Sequence, residues 1–94
     1  MLFNAFTRDS KYKPWHLTQV KIDCFEILVG KNSIQLDDID NIKLSKWKNS
    51  LHIITFRGDN IWIKIEDNNV NAPQLKSYLD RLILQPLMAL LAYH

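Results

Sequence analysis

The sequence predicts an α+β domain: about six short antiparallel strands in a twisted, partly closed sheet or barrel, capped by a C-terminal helix. Three observations carry this. Apolar and polar residues alternate over most of residues 16–66, the period-2 sign of half-buried strands. Clusters of turn formers, Gly30-Lys31-Asn32-Ser33, Asp37-Asp38-Ile39-Asp40-Asn41 and Arg57-Gly58-Asp59-Asn60, cut that stretch into short pieces. Beyond Asn71 the period becomes helical, with Leu75, Tyr78, Leu79, Leu82 and Ile83 on one face. A twisted sheet has an apolar inner face that something must cover, and this stripe matches it.

Residues 1–15 hold apolar anchors (Leu2, Phe3, Phe6, Tyr12, Trp15) around a polar stretch and end at Pro14, which biases Lys13 toward extended geometry. They read as an extended N-terminal arm. The antiparallel sheet follows over residues 16–67. Val20, Ile22 and Cys24 share one face, after which the phase slips by one to Phe25, Ile27 and Val29. Such a slip requires a tight turn or bulge near Asp23-Cys24. Ile34 and Leu36 form a short strand, and Ile39 is the single apolar residue of the acidic turn that follows, so it is expected to plug inward. Ile42 and Leu44 restart the alternation, residues 51–56 are rich in β-branched side chains, and Ile61, Ile63 and Ile65 oppose Trp62, Lys64 and Glu66. In the helical stretch, residues 71–94, Asn71 is the expected N-cap and Pro73 sits in the first turn, where its missing N–H is harmless. Pro86 is expected to kink or break the helix.

At 94 residues the chain is a single domain, 1–94, long enough for a core without metal or disulfide staples. Twelve basic and ten acidic side chains leave a net charge of +2, too little to mark a nucleic-acid binder by itself. Two glycines exclude a Gly-rich phosphate loop, and the one cysteine, Cys24, forms no internal disulfide. The N-terminus lacks the basic leader and cleavage site of a signal peptide, and the apolar run at 87–93 is far short of a membrane span, so a cytoplasmic location is the expectation.

The run Ser33-Ile34-Gln35-Leu36-Asp37-Asp38-Ile39-Asp40-Asn41-Ile42, with its I-x-x-I corner, the hairpin of residues 51–65 and the helix of 74–84 together resemble the pleckstrin-homology-like superfold, in particular its small bacterial members. The likeness spans about three quarters of the chain. It implies a partly open barrel closed by the helix and a non-enzymatic interaction role. Phosphoinositide-binding members of that superfold carry a basic loop between their first two strands. Here the corresponding junction reads Ile22-Asp23-Cys24-Phe25, which is not basic, so headgroup binding by that route is not implied.

No residue pattern indicates an enzyme. His16, His52 and His94 lack metal-ligand spacing, Cys24 in an alternating strand is better explained as a small buried hydrophobe, and Asp37, Asp38 and Asp40 lack the EF-hand spacing and closing glutamate. No catalytic, cofactor or metal site is expected. Two candidate surfaces remain. An apolar one comprises Leu87, Met88, Leu90, Leu91 and Tyr93 with Trp62 on the outward side of its strand. Either the tail folds back beside Phe3, Phe6 and Trp15, or it binds a protein partner or a second copy, a homodimer, together with an exposed sheet edge. A basic and aromatic one, Lys43, Lys46, Trp47 and Lys48 with Arg57 on the adjoining hairpin, is the alternative site for nucleic acid or an anionic membrane.

Overall fold

Alternation is what builds this molecule. The computed structural model describes residues 1–46 and 49–92, and the side chains of all of these but 85–92. Seven strands follow one another: β1 (Leu2–Arg8), β2 (His16–Ile22), β3 (Glu26–Val29), β4 (Asn32–Gln35), β5 (Ile39–Leu44), β6 (Ser50–Thr55) and β7 (Asn60–Ile65). A 3₁₀ turn, Leu36–Asp38, joins β4 to β5, and helix α1 (Ala72–Ala92) ends the order. All strands belong to one antiparallel sheet, in the order β4-β3-β2-β1-β7-β6-β5, curled into a half-barrel.

The seventh strand corrects the expected count of six and the reading of residues 1–15 as an arm. β1 lies at the centre of the sheet, paired with β2 (Phe3 opposite Val20) on one side and with β7 (Thr7 opposite Ile63) on the other. Its inner side chains, Phe3, Ala5 and Thr7, are buried, while Leu2 and Phe6 point outward. Apolar residues outside and a threonine inside blur the period-2 signal. The other six strands fall close to where alternation puts them, but Cys24 and Phe25 lie exposed in the turn before β3 rather than inside a strand, and β5 already begins at Ile39, within the expected acidic turn. The phase slip at 23–25 is a tight turn between β2 and β3, closed by the Asp23 carboxylate, which accepts the amides of Phe25 and Glu26 at 2.8 and 2.9 Å.

The core is the concave side of the sheet. Val20, Ile27, Leu51, Ile53 and Ile63 are completely or almost completely enclosed, and Ile39 plugs the acidic turn as expected. Gly30 and Gly58 occupy the left-handed region at the β3–β4 and β6–β7 turns, φ +61° and +90°, where only glycine is unstrained. α1 covers one end of the half-barrel. Ala72, Leu75 and Leu79 are buried, and Tyr78, Leu82 and Ile83 pack at the margin of the core. The amide of Gln74 donates to the Asn71 side chain at 3.2 Å, the N-cap the sequence offers. A second clamp comes from far along the chain. Asn49, held at φ 53°, accepts the Ala72 amide at 2.7 Å and donates to the Val70 carbonyl at 3.1 Å, while its own carbonyl accepts the Ile65 amide at 2.9 Å. The helix continues past Pro86 to Ala92, so the proline does not end it. The missing N–H costs one hydrogen bond at that turn.

Candidate functional site

The strand directions give the half-barrel two unlike ends. β2 runs from His16 to Ile22 and β5 from Ile39 to Leu44, so the β2–β3 turn, the β5–β6 loop and the start of α1 share one end. The β1–β2 loop and the β3–β4 and β6–β7 turns share the other. There a cavity of about 760 Å³ opens, and no described residue of α1 lines it.

Threonines form the inner lining of this cavity. Thr7, Thr18 and Thr55 come from three strands at the inward positions that continue the core, and Thr7 and Thr55 are only 7% exposed. The Asp59 amide donates to the Thr55 hydroxyl at 3.1 Å, which fixes the β6–β7 turn. A Cβ at residue 30 would lie 2.8 Å from the Thr18 hydroxyl oxygen, so Gly30 lets the β3–β4 turn close onto β2. Charged residues line the cavity too: Lys13, Lys31 and Arg57 against Asp9, Asp38 and Asp59, with Arg8 contributing to the wall while its guanidinium stacks on Trp15. Two of the cations are already paired, Lys13 with Asp9 at 3.1 Å and Arg57 with Asp38 at 3.5 Å. Both pairs are largely exposed and contribute at most about 1 kcal/mol each, so an incoming anion can exchange with the carboxylates at small cost.

The position of β1 also corrects the junction used to judge a headgroup site. The loop between the first two strands is residues 9–15, Asp9-Ser10-Lys11-Tyr12-Lys13-Pro14-Trp15, with two lysines. The junction at Ile22-Asp23-Cys24-Phe25 lies between β2 and β3, at the opposite end.

The residues singled out in the sequence are dispersed. Lys43 lies on the outer face of β5, opposite His52 of β6, and Lys46 is exposed in the β5–β6 loop. Arg57 is at the open end, paired with Asp38, and so does not extend the lysine cluster. Trp47, Lys48 and Tyr93 lie outside the described residues, as do the side chains of Leu87, Met88, Leu90 and Leu91 on the last turns of α1. Trp62 points outward as alternation requires but is half-buried, because the His52 ring stacks on it at 4.4 Å and 12°. Beside the described part of α1, a smaller hollow of about 200 Å³ lies among Cys24, Phe25, Leu36, Leu82 and Ile83, with Phe25 75% exposed. The sequence reading missed Arg8. Its guanidinium sits 4.3 Å above the Trp15 ring and 5.7 Å from that of Trp62, contacts that follow from the pairing of β1 with β2 and β7 and leave no local signal.

Among the described residues no helix is long and apolar enough to cross a membrane. No family model matches the sequence, and no curated protein matches it either. Solved structures do match in shape. The N-terminal PH domain of human ARAP2 aligns at TM-score 0.74 and 14% identity, over 92% of this chain and 80% of that one. Inner membrane complex sub-compartment protein 3 of Toxoplasma gondii aligns at 0.71 and 19%, over 89% and 75%. The C-terminal domain of an unknown protein from Leishmania infantum aligns at 0.66 and 17%, over 89% and 82%. At these identities the likeness concerns the fold, and the fold is pleckstrin-homology-like.

Proposed function

We propose that the chain is a non-enzymatic binding domain that takes a phosphorylated, hydroxyl-rich group into the cavity at the open end of its half-barrel. The cavity carries the reading: about 760 Å³ with threonine hydroxyls inside and cations from the β1–β2 loop and two further turns around them. Hydroxyls suit a polyol, and exposed cations in weak pairs suit a phosphate. With the Arg8 guanidinium stacked on Trp15, the cavity cations Lys13, Lys31 and Arg57 balance Asp9, Asp38 and Asp59, which suits a ligand of modest negative charge. Whether that group is free or the headgroup of a lipid is a matter for the assay. Calorimetric titration with an inositol trisphosphate, and with vesicles bearing the corresponding lipid, tests both sources. Binding by wild type that falls about tenfold or more in Lys31→Glu plus Arg57→Glu, with unchanged circular dichroism, supports the reading. Equal binding by the folded variant contradicts it.

A second reading is self-association or protein binding through the α1 side of the closed end. Its support is the 75% exposure of Phe25 and the 52% exposure of Leu84, next to a helix whose remaining turns, residues 86–92, contain no charged or hydrogen-bonding side chain. Sedimentation of wild type against Leu87→Asp plus Leu90→Asp separates the cases. Association that disappears in a folded variant supports an interface; a wild-type monomer with an unfolded variant assigns those residues to the core.

A further inference from the structure

On the outer face of the sheet, four side chains stand in one row across the strands: Trp15, Arg8, Trp62 and His52. The register places Arg8 opposite Trp62 and Trp62 opposite His52, and His52 faces Lys43 on the next strand. Arg8 lies 4.3 Å from the Trp15 centroid, and the His52 and Trp62 rings lie 4.4 Å apart, close to the spacing between neighbouring strands, about 4.8 Å. The rings therefore stand upright, cover one another's faces and turn their edges to solvent. His52 is fixed further by Asn60, whose side-chain oxygen lies 2.8 Å from its Nε2. In the adjoining row Leu17 is opposite Phe6, and Phe6 is opposite Lys64. Leu17 is 64% exposed. Neither Lys43 nor Lys64 forms an ion pair among the described residues, and neither row contains a carboxylate. Glu66 lies two positions beyond Lys64.

We propose that this strip is a docking surface for a short acidic protein segment with an apolar anchor. Its carboxylates meet Lys43 and Lys64, and its apolar side chain packs on the edge of Trp62 beside Phe6 and Leu17. Tryptophan and arginine are the residue types that dominate binding energy at protein interfaces. Here they are held in place by mutual stacking before any partner arrives, so little side-chain freedom is lost on binding. Lysines that form no ion pair among the described residues select for a partner of opposite charge. Single-stranded nucleic acid fits less well, because base stacking needs ring faces that Arg8 and His52 already occupy. A bilayer fits less well too, because the outer side of a curled sheet is convex and presents only a narrow strip to a plane. From β2 to β5 the strip spans about 20 Å, the reach of about six extended residues.

The test is fluorescence anisotropy with labelled peptides of about ten residues, a length that covers the strip. One alternates Glu or Asp with Leu and Phe, a second replaces the apolar residues by Ser, and a third replaces the acids by Lys. Wild type is expected to bind the first best, with an affinity that falls as salt rises. Lys43→Glu plus Lys64→Glu should lower that affinity about tenfold or more and raise that of the lysine peptide, with circular dichroism unchanged. Leu17→Asp, at an exposed position that leaves the core intact, should also weaken the acidic peptide. Four outcomes overturn the proposal: no binding of the first peptide, equal binding of the serine peptide, indifference to the double charge reversal, or tighter binding of oligothymidylate or phosphatidylserine vesicles than of any acidic peptide, lost in the same variant.

Discussion

The two ends of the half-barrel are made from the same strands yet finished in different ways. At one end the inward side chains remain aliphatic, and α1 seals them with Leu75, Leu79 and the clamp of Asn49. At the other end the inward positions change to Thr7, Thr18 and Thr55, and loops bearing both signs of charge surround an unfilled space. On the proposed reading, one sheet divides its length between stability and binding. A substitution at the sealed end should cost folding free energy, and one at the open end should cost affinity.

The largest effect is expected from Leu79→Ala, which removes a side chain 1% exposed under the centre of the helix. Loss of buried area plus the cavity left behind should cost about 2–5 kcal/mol in urea unfolding. Asn49→Ala comes next. It leaves the Ala72 amide and the Val70 carbonyl without their partner, for a loss of about 1–3 kcal/mol, with the helix detaching before the sheet in amide exchange. Gly30→Ala tests the boundary between the two ends. A non-glycine at φ +61° is strained by about 1–2 kcal/mol, and the added methyl must displace Thr18, so both stability and ligand affinity should drop. A variant that lost stability alone would detach the β3–β4 turn from the binding site.

The smallest effect belongs to Asp23. Its carboxyl is held below the ordinary value of 3.8, first by the Phe25 amide and then by that of Glu26. A lowered folded-state pKa contributes stability that is fully present above the ordinary value and is lost as the pH falls through the lower one. Asp23→Ala should therefore melt slightly below wild type at neutral pH, and the two midpoints should converge as the pH falls through the lowered value. A gap that persisted in acid would mean that the turn is held by something other than the charged carboxylate.

Much of this architecture was legible because its signals are local. Gly30 and Gly58 mark the turns, Ile39 marks the plug, Asn71 marks the helix start, and Leu75, Tyr78, Leu79, Leu82 and Ile83 mark the packed face. β1 was not legible, since its outward Leu2 and Phe6 and inward Thr7 contradict simple alternation. That single omission displaced the first interstrand loop by a whole strand and hid Lys11 and Lys13 from the headgroup comparison. The Asn49 clamp and the Arg8 stack depend on contacts between distant parts of the chain, and nothing near either residue announces them. Arg57 stands near Lys43 and Lys46 in sequence, yet β6 runs the length of the sheet from the β5–β6 loop and delivers it to the open end beside Asp38.

The central claim is that the open end binds and the sealed end supports. Amide chemical-shift mapping during titration with an inositol trisphosphate tests it most directly. The predicted result is a set of saturable shifts confined to residues 7–18, 29–33 and 55–61, with α1 and the β5–β6 loop unmoved. Shifts centred on α1 and the β2–β3 turn, or none at saturating ligand, would contradict the account.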